Sequence, residues 1–72
     1  MFNYNYDKLR ERILAKYGTY TAFAEDVGVS LPYVSMKLGN RNPLTQDDVR
    51  LWAEKLDISD RDIGAYFFCL MT

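Results

Sequence analysis

Apolar residues recur along this chain at intervals of three and four, the period of helices with one buried stripe. Leu9, Ile13 and Tyr17 mark a first helix over 7–17. Asp7 is placed to cap it, Gly18 to end it, and Arg10, Arg12 and Lys16 to solvate its outer side. Phe23, Ala24 and Val27 mark a second helix over 20–27, capped by Thr19. Gly28 follows, supplying the positive φ that a tight turn requires. Val34 and Leu38 mark a third helix over 31–38. Ser30 is its cap, Pro32 sits in its first turn, and Val29 stands where a hydrophobic staple would meet Val34. On this helix Tyr33, Met36, Lys37 and Asn40 form the opposite, outward stripe, with Leu31 at the edge. Gly39-Asn40 ends it, both tolerating left-handed backbone.

After the loop Arg41-Asn42-Pro43, a fourth helix is expected over 46–56, with Thr45 and Asp48 spaced as a capping box. Val49, Trp52, Ala53 and Leu56 are its inward face. A fifth helix starts after Ser59, capped with Asp62, and carries Ile63, Tyr66, Phe67 and Leu70. Phe2, Tyr4 and Tyr6 read as a cover for the bundle. Phe67, Phe68, Leu70 and Met71 read as core plus tail, a dimer seam being the rival in both places. No hairpin signal, linker or repeat interrupts this pattern. The expectation is a single domain over residues 1–72: an all-α, compact bundle of about five helices built around a helix-turn-helix.

Composition narrows the chemistry. Seventy-two residues fold alone only if most apolar side chains share one core, and 49% hydrophobic residues suffice for that. Histidine is absent and Cys69 is the one cysteine. That combination removes histidine-based catalysis, most metal sites and any intrachain disulfide, so no enzyme activity, metal or cofactor is expected. A lone thiol suits a reducing cytoplasm. No secretory leader and no apolar run near the ~20 residues of a membrane span is expected. Net charge is −1, unlike a dedicated DNA binder. Residues 1–42 carry six basic and four acidic groups, residues 43–72 three and six.

The run Phe23-Ala24-Glu25-Asp26-Val27-Gly28-Val29-Ser30 resembles the Cro/repressor-type helix-turn-helix domain of phages. Val34-Ser35-Met36-Lys37-Leu38-Gly39-Asn40-Arg41-Asn42-Pro43 is similar to its recognition helix and following loop. The flanks, Tyr4 to Arg10 and Ile63 to Phe68, look like small Cro-like proteins of temperate phages of Gram-positive hosts. Within that group the chain is most similar to the modulator-of-repressor type of antirepressor. The resemblance implies a regulator of the lysis–lysogeny switch in the bacterial cytoplasm. It acts on the DNA-binding domain of the phage repressor or on operator DNA, with no membrane and no small-molecule ligand.

Two residue sets follow. A protein partner would meet Leu31, Pro32, Tyr33, Met36, Lys37, Asn40 and Asp47. Operator DNA, the alternative, would meet Tyr20, Tyr33, Lys37, Asn40 and Arg41. Base edges are read by Arg or Lys on guanine and Asn or Gln on adenine, and at the reading positions of the third helix only Lys37 carries a charged donor. Leu, Pro, Tyr and Met are instead the composition of an interface core, and Asp47 or Asp48 can pair with a partner's arginine.

Overall fold

The computed structural model describes residues 3–71. Five helices occupy them: α1 Asp7–Tyr17, α2 Tyr20–Val27, α3 Leu31–Leu38, α4 Gln46–Lys55 and α5 Ile63–Phe67. A 3-10 turn, Asp60–Asp62, leads into α5. The fold is the all-α bundle that the periodicity predicts.

Local chemistry sets the boundaries of α2 and α3. The Thr19 hydroxyl accepts from the Ala22 N–H at 3.1 Å, and the Ser30 hydroxyl accepts from the Tyr33 N–H at 3.2 Å. Each satisfies a helix-start donor that has no partner inside the helix. Gly28 lies at φ 88, ψ 28, a left-handed conformation that glycine adopts without steric cost. The chain thereby reverses within three residues and lays α3 against α2, completing a helix-turn-helix. The α4 start is a full capping box: Thr45 Oγ1 accepts from the Asp48 N–H and Asp48 Oδ2 accepts from the Thr45 N–H, both at 3.0 Å.

Phe23, Trp52, Phe67, Leu9, Ile13, Leu56 and Val34 are wholly buried and fill the centre of the bundle. Phe23 stands edge-on to Trp52, ring centroids 5.0 Å apart, and Tyr17 edge-on to Phe23 at 5.2 Å. This arrangement lets the positive ring edge meet the negative face of its neighbour. Each such side chain contributes roughly 1.5–3 kcal/mol by leaving water, so a chain of this length depends on nearly all of them.

Several sequence expectations are corrected. Asp7 is the first residue of α1 rather than its cap, and its own N–H is held by Asn5 Oδ1 at 2.9 Å. The α1 cations are also employed inside the molecule. Arg10 Nη2 donates to the Leu38 carbonyl at 2.7 Å, Arg12 lies over the Tyr66 ring, and Lys16 reaches the Lys55 carbonyl and Asp57. Gly39 keeps a negative φ of −85, and only Asn40 turns left-handed. The Ser59 hydroxyl caps no backbone N–H; it donates to Asp62. Leu70 falls outside α5, because Phe67 is the last helical residue and the chain then extends. Phe67 is core, whereas Phe68, Leu70 and Met71 are exposed tail. Tyr6 is buried and Tyr4 half-buried, as expected of a cover; Phe2 lies outside the described residues.

The two ends of the chain meet through backbone pairing that no sequence pattern announces. Tyr4 and Leu70 form an isolated antiparallel bridge, with Asn5 N–H donating to the Cys69 carbonyl and Met71 N–H to the Asn3 carbonyl. In that register the N–H and C=O of Tyr4 point away from Leu70. The Asn40 carboxamide takes both: its Oδ1 accepts from Tyr4 N–H and its Nδ2 donates to Tyr4 C=O, each at 2.9 Å. One side chain thus completes a strand edge that burial would otherwise leave costly. Asn40→Gly keeps the left-handed backbone and deletes the latch. It should cost about 1–2 kcal/mol in urea unfolding and raise hydrogen exchange at the Tyr4 amide.

Candidate functional site

Helix α3 presents one face to solvent. Its buried stripe is Val34, Lys37 and Leu38, and its exposed positions are Leu31, Pro32, Ser35 and Met36. Leu31 is 43% and Met36 39% exposed, large values for apolar side chains in so small a protein. Leu31 and Pro32 stand at the helix start, where the Ser30 cap fixes the backbone, so this apolar edge sits on a rigid element.

Lys37 is the main correction to the sequence reading. It is 7% exposed and does not point outward. Its ammonium donates to the Pro43 carbonyl at 2.7 Å, lies 3.5 Å from Asp48 Oδ2, and sits 4.8 Å from the centroid of the Tyr33 ring. Those three partners satisfy a charge that burial would otherwise make costly. Tyr33 is half-buried rather than free, and its hydroxyl donates to the Asp48 carboxylate at 2.8 and 3.0 Å. That hydrogen bond, with burial and the carboxylate's charge behind it, raises the Tyr33 hydroxyl above its ordinary pKa.

Asp48 is the hub of this cluster. Burial pushes its carboxyl up, but the Thr45 backbone, Tyr33 and Thr45 side-chain hydrogen bonds and the Lys37 charge outweigh it and hold it below the usual range. Asp48 is therefore an ionised structural partner, not a free acid for a docking protein. Asp47, its neighbour, remains exposed.

The sequence-predicted sets divide accordingly. Leu31, Pro32, Met36 and Asp47 are solvent-facing. Tyr33, Lys37 and Asn40 are taken up by Asp48, Pro43 and Tyr4 within the chain. Of the residues expected to meet DNA, Arg41 is exposed and makes no ion pair among the described residues; Tyr20 is half-buried. The structure thus leaves α3 without a charged donor on its exposed face.

Sequence reading missed a cleft beside that face. Leu31, Ser35 and Leu38 of α3, Tyr20 of α2 and Arg10 of α1 enclose about 260 Å³. A second cleft of about 360 Å³ lies between Leu44, Gln46, Val49, Arg50 and Phe68. Residues on three separate helices build the first, so no local motif could have announced it. Among the described residues no cluster of three or more His, Cys, Asp or Glu could hold a metal ion. No helix among them is long and apolar enough to cross a membrane.

Residues 2–69 match the model of a family described as proteins of unknown function, DUF739. The chain belongs to this family. The match covers all five helices, so the DUF739 unit includes the apolar α3 face, and it ends one residue short of Leu70, which pairs with Tyr4. No curated protein matches the chain.

Proposed function

We propose that this protein is a protein-binding regulator of a phage genetic switch, docking its α3 face on the DNA-binding domain of the phage repressor. One observation carries the reading: the cation of α3, Lys37, is buried against Asp48 and Pro43, leaving Leu31, Pro32, Ser35 and Met36 outermost. Base readout needs paired donors or acceptors at the reading positions, and those four side chains offer one hydroxyl among them. Apolar, conformationally adaptable side chains on a rigid helix are what an interface core uses. The exposed Asp47 at the start of α4 adds a negative rim suited to the arginines and lysines of a DNA-reading surface. Occupying that surface would block operator binding by competition. In this reading the protein acts in the cytoplasm of the bacterial host.

Mixed at micromolar concentration with the N-terminal domain of the cognate repressor, the protein should co-elute as a heteromer on size-exclusion chromatography. It should also abolish that domain's mobility shift on operator DNA. Two unshifted peaks would overturn the proposal. So would a sequence-selective shift of operator DNA by this protein alone at low salt, which would instead favour direct operator binding through Arg41 and Tyr20.

A further inference from the structure

The cleft bounded by Arg10, Tyr20, Leu31, Ser35 and Leu38 opens beside the exposed α3 face, and its chemistry is specific. Leu31 and Leu38 give it apolar walls. The Tyr20 and Ser35 hydroxyls make no hydrogen bond among the described residues, so each offers a donor and an acceptor. Arg10 uses Nη2 on the Leu38 carbonyl and Nη1 on Asp7, leaving further N–H donors at the rim.

We propose that this cleft seats one neutral carboxamide side chain, a glutamine or asparagine, from the docked partner. The inference rests on the reading given under Proposed function and deepens it. A partner's lysine or arginine is repelled by Arg10. A carboxylate is disfavoured on a surface that reads DNA, because it would face phosphates there. A purely apolar side chain would desolvate two hydroxyls and a guanidinium without replacing their hydrogen bonds. A carboxamide carries one acceptor for Arg10 or Tyr20 and two donors for the Ser35 and Tyr20 oxygens. A DNA-reading helix bears such side chains, because glutamine and asparagine pair with the edge of adenine. Engaging one here would consume a group the repressor needs for its operator.

The test is isothermal titration of the repressor's N-terminal domain into the wild-type protein and into the double variant Tyr20→Phe, Ser35→Ala. Both substitutions retain the packing atoms of the walls, and a thermal melt verifies the fold. The double variant should bind roughly tenfold to thirtyfold more weakly, the loss of one or two neutral hydrogen bonds. Replacing each glutamine and asparagine of the partner's recognition helix by alanine should then identify one position whose loss is no longer felt in the double variant. If the wild-type protein binds and the double variant binds equally well, the cleft assignment falls while the docking proposal stands. Coupling to an acidic or an apolar partner residue instead would likewise overturn it. No complex with the wild-type protein would remove the docking proposal, and the cleft assignment with it.

Discussion

Asp48→Ala should remove most of the stability of this protein, although the residue sits at the surface end of a helix. The carboxylate is only 13% exposed and does three things at once. It closes the α4 capping box, accepts the Tyr33 hydroxyl, and neutralises Lys37, whose side chain is 9% exposed. Deleting one member of a buried charged pair leaves the other charge uncompensated, which costs about 3–5 kcal/mol. A domain of this size has about 5 kcal/mol to lose. The variant should therefore be largely unfolded, or melt far below the wild type, by circular dichroism. Asp48→Asn keeps the shape and loses the charge, so it should fold with a clearly lower urea midpoint.

The same group gives a pH signature with a definite sign. Its folded pKa lies below the unfolded one, so its contribution is complete above the ordinary carboxylate range. That contribution is lost as pH falls through that range toward the folded value. Asp26, held low chiefly by the Tyr17 hydroxyl, and Asp57, held low chiefly by Lys16, act in the same direction but are exposed pairs of small effect. The urea midpoint of the wild type should fall between pH 5 and pH 3, and that of Asp48→Asn should fall less. Equal slopes for the two proteins would show that Asp48 is not ionised in the way its partners require.

The helices were legible in the sequence because each is punctuated. Thr19, Gly28, Ser30 and Thr45 are short-range signals, and they stand where α2, α3 and α4 begin or end. The α3 outer face was legible only in part. Successive helix positions rotate by about 100°, so Met36 lies about 160° from Val34, whereas Lys37 lies only about 60° away. Lys37 therefore belongs nearer the buried stripe than the exposed one, and the helical period alone carried that signal. What the period could not carry was the partner that makes burial tolerable. Asp48 is eleven residues further on, and its spacing to Thr45 accounts for it fully as a cap. Asn40 reads as a helix stop for the same reason. Its left-handed φ of 61 is local chemistry, but its pairing with Tyr4 spans 36 residues and depends on how the ends of the chain meet.

Leu31→Asp with Met36→Asp should eliminate partner binding without unfolding the protein, and this pair is the sharper test of the α3 face. Tyr33 is unsuitable as a probe: its hydroxyl holds Asp48, so Tyr33→Asp would place a second carboxylate against the first and report on stability instead. Leu31 and Met36 are 43% and 39% exposed, so carboxylates there stay in water in the free protein and cost little. In a complex they would be driven into a dehydrated apolar core with no guaranteed cation. Each apolar anchor lost from the centre of an interface removes about 2 kcal/mol. The double variant should then bind the repressor domain at least about a thousandfold more weakly, since burying unpaired charge adds to the anchor loss. Its circular dichroism melt should stay within a few degrees of the wild type. Arg41→Ala should leave the same affinity nearly unchanged, because a rim cation on this protein gains nothing from a basic partner. The reverse pattern, a small loss at Leu31 and Met36 and a large one at Arg41, would mean that the repressor domain is met through an acidic surface and not by the apolar α3 face.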